Sequence, residues 1–417
     1  MIPAARLASL LASNVAEMEA RGFGSAYFDR MRSPDDTVRA MRSKFSEFGI
    51  TRLARLTGLD QIGIPVWAAT RPNGRTLAVT QGKGLDDAAA RASATMEAVE
   101  MATAERPDRA GVIATTAELR RAGRRVQRLD MLLRKGVAPP SDDEPIVWLE
   151  GLDLVSGDGV FVPLEASVLY DGTRPTRWWQ STDGLASGNV LWEAVLHGLG
   201  ERIERDATTL WTLRSDATVV ERCLDVAGFE DPELSRLDRI ITDAGFRLRL
   251  FDVTSDLGIP VIFAVISPIP NGHEDKWKHF DLSAGSGCHP EPARAAIRAV
   301  TEAAQSRLTT IAAARDDFEP ARYAAKLKND LLTYVHATPQ LRRLAAPHPL
   351  GPRLGWIGAM VDRLRRVGVG EAIVVPLETG ENDYAVAKVF VPDLENPPGD
   401  RARSFGPRAV RAMMGLS

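Results

Sequence analysis

Residues 82–105 read GKGLDDAAARASATMEAVEMATAE. Beyond the opening acids the stretch is mostly alanine and methionine, broken by Arg91 and by two glutamates three residues apart, Glu97 and Glu100. On a helix, residues at i, i+4 and i+7 fall within about 60° of arc, so Ser93, Glu97 and Glu100 share a face. The bland reading of that stripe is a solvated surface. Outside it, however, residues 88–104 are only Ala, Thr, Met and Val apart from Arg91, and a helix apolar nearly all round is buried. Buried adjacent carboxylates lose hydration and repel, so they need cations or extensive donors to stay ionised. Magnesium answers that need.

The stretch has an echo. Gly84 precedes Glu97 by thirteen residues, and in LASGNVLWEAVLHGLGERIERD Gly188 precedes Glu201 by the same distance; each glutamate has a partner three on, Glu100 and Glu204. A third segment, GSGCHPEPARAAIRAVTEAAQSR, leads from a glycine turn to Glu302 and Gln305. The stripes are then Ser93, Glu97, Glu100; His197, Glu201, Glu204; and Arg298, Glu302, Gln305. Magnesium takes oxygen ligands and is usually held by a few carboxylates plus nucleotide phosphates. Four glutamates exceed the need of one ion and suit two or more ions bridging a triphosphate. Arg298 and Gln305 can hold phosphate oxygens, while QGKG and SGN add backbone amides and Lys83. Neither a GxxxxGK[ST] P-loop nor a GxGxxG fingerprint occurs, so ATP would bind in an unusual fold.

The whole chain agrees with a globular protein of one large or two ordinary domains: 417 residues, 44% of them hydrophobic. Lysine and arginine total 52 against 55 acids, a net charge of −3, so no global field steers it to nucleic acid or an acidic membrane. Cys223 and Cys288 have no metal spacing and make no disulfide framework. No apolar run is long enough to span a bilayer and the start lacks a sustained signal-type core; a soluble, cytoplasmic protein is expected. IPVWAATRPNGRTLAVTQGKG reads as a hairpin turning at Asn73-Gly74, and IVWLEGLDLVSGDGVFVPL as another turning through residues 156–159. FRLRLFDVTSDLGIPVIFAVISP repeats the form, EAIVVPL and AVAKVFVPDL are strands, and VAPPSDDEP and APHPLGP are loops. Paired strands with intervening helices predict an α+β class.

The order and context of five segments resemble the YcaO family: GITRLARLTGLDQIGIPVWAATRP, QGKG, SATMEAVE, LASGNVLWEAVLHGLGERIERDA and HPEPARAAIRAVTEAAQSR. The likeness runs from Lys44 to about Arg307. It implies a YcaO-type ATP-binding fold with glutamate-bearing buried helices, divided into an N-terminal helical segment (1–40), a YcaO domain (41–395) and a C-terminal tail (396–417). It further implies ATP and Mg2+ as cofactors and phosphorylation of a peptide-backbone amide oxygen. Attack by a Cys, Ser or Thr side chain then gives an azoline, and attack by a sulfur donor a thioamide. Carried over by position, Glu97, Glu100, Glu201 and Glu204 bind magnesium. Ser93, Asn189, Glu193 and Gln305 contact nucleotide, joined by Arg307 and by an upstream pair, Lys44 and Thr51; the stripe and turn chemistry above adds Lys83, Arg298 and Glu302. No catalytic residue is assigned. In one departure, Met101 follows Glu100 where the family commonly has arginine, whereas Arg205 keeps the second motif's arginine.

TGLDQIGIPV, EAAQSR and VFVPDLENPPG look like members that work with a TfuA-type partner, and the end of the chain lacks the proline-rich repeat of many azoline-forming members. Thioamide formation on a peptide or protein substrate is therefore expected, with azoline formation as the alternative and a homodimer compatible with either. The other classes weighed are a non-catalytic nucleotide- or peptide-binding scaffold and a metallohydrolase, which would recruit histidine or aspartate ligands that two of the three stripes lack. Four features read blandly: Cys288 as a packed residue in a turn, His197 as a satisfied buried histidine or a group orienting a carboxylate, Trp178 and Trp179 as packing, and HEDKWKHF as a solvated loop.

Overall fold

The hairpins signalled by the turn residues are the strongest local features of the chain, and each one forms. The computed structural model describes residues 2–22, 27–106, 110–170, 175–315, 321–344, 352–397 and 405–414. Strand β1 (Arg52–Arg55) pairs antiparallel with β2 (Val66–Thr70), which pairs with β3 (Val79–Lys83) across the Asn73-Gly74 turn. A larger sheet contains β4 (Val112–Ala114), β5 (Arg125–Val126), β6 (Ile146–Asp153), β7 (Gly159–Pro163), β8 (Leu185–Gly188), β13 (Ile373–Thr379) and β14 (Ala385–Phe390). Its order is β5-β7-β6-β13-β14-β8 with β4 alongside β6, and only β5 and β7 run parallel. The third sheet is β12-β11-β10-β9, formed by Ser283–Cys288, Val261–Pro268, Phe246–Asp252 and Cys223–Leu224. VAPPSDDEP runs as irregular chain into β6, and the loop expected at APHPLGP lies almost wholly outside the described residues.

The long helices are α1 (Ala4–Arg21), α2 (Asp87–Ala104), α3 (Leu191–Trp211) and α4 (Pro292–Ala312). An edge strand leaves backbone groups open that a helix can cover. β3, β8 and β12 are edge strands of three different sheets, and each leads into the helix that covers it, α2, α3 and α4 respectively. The approach is close enough to require glycine: a Cβ on Gly82 would lie 1.9 Å from the Ala94 nitrogen, and one on Gly287 2.3 Å from the Ala295 oxygen. Asp86 caps α2 by accepting from the Ala89 amide at 2.7 Å, and α2 is buried on nearly every side, Glu100 included.

Each helix also reaches the strand of the next unit. Ser187 Oγ on β8 donates to the Met96 carbonyl of α2 (3.2 Å), Ser286 Oγ on β12 to Glu204 of α3 (2.6 Å), and Gln305 Nε2 of α4 to the Gln81 carbonyl of β3 (3.2 Å). The three strand–helix units visible in the sequence thus close into a ring. Helix α1 packs on α3 and β6 from outside. A last helix, α5 (Pro407–Met413), is held on α3 by Arg408, whose guanidinium makes two 2.9 Å bonds to Asp206. Among the described residues no helix is long and apolar enough to cross a membrane.

Candidate nucleotide and metal site

Inside the ring lies a cavity of about 1520 Å3, and all nine stripe residues line it. Their side chains follow a common rule. The middle residue of each stripe takes a backbone amide of its own unit: Glu97 from Gln81, Glu201 from Gly184 at 3.1 Å and Glu302 from Ser286 at 3.3 Å. The last residue reaches forward to the next unit. Glu100 pairs with the Ser187 hydroxyl, Glu204 accepts from Ser286 Oγ and from the Cys288 amide (2.9 Å), and Gln305 bonds Gln81. The helical periodicity that put these residues on one face is what delivers them to the same wall.

The charges along the wall are unequal. Burial pushes Glu97 up to about 7, against the pull of Lys83 and Arg315. Burial, then repulsion from Glu97 and Glu201, raises Glu100 well above the ordinary carboxylate range. Glu201 is raised chiefly by burial, despite Arg205 at 3.2 Å. On α4 the balance reverses: burial would raise Glu302, but Lys83 at 2.6 Å, with Arg205 and the Ser286 amide, holds it below its usual value. His197 is half-buried on the cavity wall and kept neutral by desolvation and by Arg298, Arg30 and Lys83. Lys388, on β14, is drawn down to about 8 by burial, with Asp183 and Glu201 opposing, and donates to the Ser181 and Asp183 carbonyls.

Lys83, Asn189 and Glu193 also border the cavity. Glu193 is fully enclosed and engaged: it accepts from the Asn189 amide (2.9 Å) and Asn189 Nδ2 (3.1 Å), the Met31 amide (2.5 Å) and Arg30 (3.4 Å). It ties residues 27–33 across the cavity, where Asp29 meets Arg294 at 3.0 Å and His289 at 3.5 Å. Three of the expected residues stand off this wall. Lys44 donates to the Asn382 carbonyl and lies 5.6 Å above the Tyr384 ring, Thr51 Oγ1 is bonded to the Thr70 carbonyl, and Arg307 pairs with Asp60 at 3.1 Å over the Phe246 ring.

Sequence reasoning did not single out Lys388, Asp183, Asp29 or Arg30. Lys388 had a signal, a lone lysine in the apolar run AVAKVFV; the others had none. Cys288 is buried with its thiol pushed up by burial and by Glu204, which suits packing and not nucleophilic attack. Trp178 is buried, with Nε1 donating to the Arg128 carbonyl. In HEDKWKHF, Trp277 is buried against Leu327 and Val335, while His279 and Phe280 reach the cavity rim. Met101 is buried in the core formed by α2 and the large sheet.

The donor set fits hard divalent cations and phosphate. Carboxylates gather on α2 and α3, and Lys83, Arg298 and the Gln305 amide lie on the α4 side. Among the described residues no three His, Cys, Asp or Glu converge tightly enough to hold an ion by themselves.

A family model described as YcaO cyclodehydratase, ATP- and Mg2+-binding, matches residues 81–395. An uncharacterized protein in the tfuA 3′ region of Rhizobium leguminosarum bv. trifolii is 42% identical over 403 residues, 94% of each chain. YcaO from Methanopyrus kandleri, bound with AMPPCP and Mg2+, superposes with a TM-score of 0.70 at 25% identity, covering 90% of this chain and 95% of that one. A heterocyclase in complex with substrate and cofactor superposes at 0.72 with 22% identity over 93% of this chain and shares its fold; the chain spans 55% of that protein's length.

Proposed function

The chain belongs to the YcaO family of ATP- and Mg2+-binding proteins, and from that premise we propose that it uses ATP to phosphorylate the oxygen of a peptide-backbone amide. The observation that carries this reading is the convergence of three stripes on one cavity, acidic on α2 and α3 and cationic beside α4. An amide oxygen is a poor leaving group; as a phosphate ester it departs as phosphate once a nucleophile has added to the amide carbon. Bound magnesium and ATP supply the phosphoryl group and the positive charge that steadies its transfer.

The chain's own residues do the holding. Glu97, Glu100, Glu201 and Glu204 are the proposed magnesium acids, and phosphate oxygens of the nucleotide would complete the coordination. Lys83, Arg298 and Gln305 hold phosphate oxygens, with Glu302 fixing Lys83. Ser93 and Asn189 border the nucleotide, and Glu193 acts by anchoring residues 27–33. Arg205 and Lys388 lie beside Glu201 and oppose the burial that raises its pKa. Lys44, Thr51 and Arg307 form no part of this wall. Such a site works by positioning and fixed charge.

Thioamide formation with a TfuA-type partner is the product reading we favour, because the relative from Rhizobium is a protein of the tfuA 3′ region. Azoline formation is the second reading, favoured by the cyclodehydratase description of the family. Mass spectrometry of a candidate precursor incubated with the protein, ATP, magnesium, sulfide and a TfuA-type protein separates them. Exchange of oxygen for sulfur makes the peptide heavier, and loss of water makes it lighter. Water loss without a sulfur donor overturns the thioamide reading, and a chain that binds but consumes no ATP under either condition is a scaffold.

A further inference from the structure

The three junctions of the ring are built alike but are not charged alike. Gly82 and Gly287 meet their helices in the same way, each against the backbone nitrogen three residues before the stripe's middle glutamate (Ala94 and Ala299) and the backbone oxygen seven before it (Ala90 and Ala295). Gly84 and Gly188 likewise both meet the nitrogen seven before it (Ala90 and Ala194). Lys83, Ser187 and Cys288 are therefore equivalent strand positions, and each faces the helix of the preceding unit.

At the α2–β8 junction that position is a hydroxyl beside Glu100 that donates to the Met96 carbonyl, and at the α3–β12 junction it offers Glu204 a backbone amide at 2.9 Å beside a neutral thiol. At the α4–β3 junction it offers an ammonium, with Lys83 Nζ 2.6 Å from Glu302, and the residue matching Glu100 and Glu204 is the neutral Gln305. The stripes thus carry two carboxylates on α2, two on α3 and one on α4, and the single carboxylate is the one that meets Lys83. A partly buried carboxylate stripped of its main counter-charge is unfavourable, and without Lys83 Glu302 keeps only the weaker support of Arg205 and the Ser286 amide.

We propose that the Lys83 ammonium is a built-in cation that takes, at the third junction, the place divalent ions take at the other two, and so limits how many ions the site admits. This rests on the reading of the stripe acids as magnesium ligands. Mn2+, a hard oxygen-seeking ion like magnesium, is counted per chain by the loss of its free electron-spin-resonance signal in the presence of AMPPCP. Lys83→Met should bind one ion more than the wild type, Lys83→Met/Glu302→Gln should return to the wild-type number, and Lys83→Arg should keep it. An unchanged or lower count in Lys83→Met, or an added ion in Lys83→Arg, overturns the inference; the first of these is what a lysine serving only as a direct phosphate contact would give. A wild type that takes up no Mn2+ refutes the metal reading itself, and this inference with it.

Discussion

Gly198 and Gly200 lie two residues apart on α3, yet the same replacement by alanine should move stability in opposite directions. A Cβ on Gly198 would lie 2.8 Å from the Gly184 carbonyl oxygen and 2.8 Å from Val389 Cγ2, whereas one on Gly200 would meet nothing within 4 Å. Both sit in helical backbone, where alanine is favoured over glycine by about 1 kcal/mol. Gly200→Ala should therefore raise stability by about that amount. Overpacking costs about 1–3 kcal/mol, and at Gly198 one obstacle is backbone, which cannot rotate aside. The upper part of that range, less the helical gain of alanine, leaves Gly198→Ala less stable by roughly 1–2 kcal/mol. The site should register it too, because Glu201 accepts from the Gly184 amide at 3.1 Å, so displacing Gly184 weakens magnesium-dependent nucleotide binding. Urea denaturation at constant m-value reads the two signs, and calorimetric titration with AMPPCP and magnesium reads the second effect. Equal stability changes in the two variants would falsify the packing argument.

Glu201→Gln keeps the side-chain volume and removes one charge, and magnesium-dependent AMPPCP affinity should fall at least about tenfold, the lower end of what even indirect support of a metal costs; unchanged affinity in calorimetry sinks the assignment. For pH, Glu97 binds its proton more tightly folded, with its pKa raised from 4.5 to about 7. Between those values the folded state keeps a proton that the unfolded state has released, so stability attributable to this group is present at low pH and drains away as pH rises through about 7. Urea midpoints across the window should show that slope in the wild type, less of it in Glu97→Gln, and less of it when magnesium and AMPPCP favour the charged form. Identical slopes in wild type and variant remove Glu97 from the account.

What the sequence disclosed was local and periodic. Asn73-Gly74 and the glycines at 157 and 159 named two hairpins because turn geometry depends on a few residues, and the thirteen-residue spacing from glycine to glutamate named the repeated units. The closing of those units into a ring was not legible, since no local pattern says that α2 will cross β8. Direction was equally hidden at Arg307. It lies five residues past Glu302, about 140° around the helix from the stripe, and so it points to Asp60. Thr51 enters β1 with its hydroxyl satisfied by Thr70, and Lys44 is turned to the Asn382 carbonyl. Residues 27–33 carried no signal at all, because Asp29 is defined by partners more than 250 positions away, His289 and Arg294.

A ring has no first or last member in space, but a ribosome makes one in time. Lys83 and Glu302 are 219 residues apart, and Gln81 and Gln305 are 224 apart. At about 5–20 residues per second, the strand that begins the ring waits roughly ten to forty seconds for the helix that closes it. Through that interval the edge of β3 and the acids of α2 have no third neighbour, and pairings of such long range are the slow ones in folding. The nascent chain is therefore open along the wall that carries the stripe acids, and its cavity comes into being only when the last of the three units arrives.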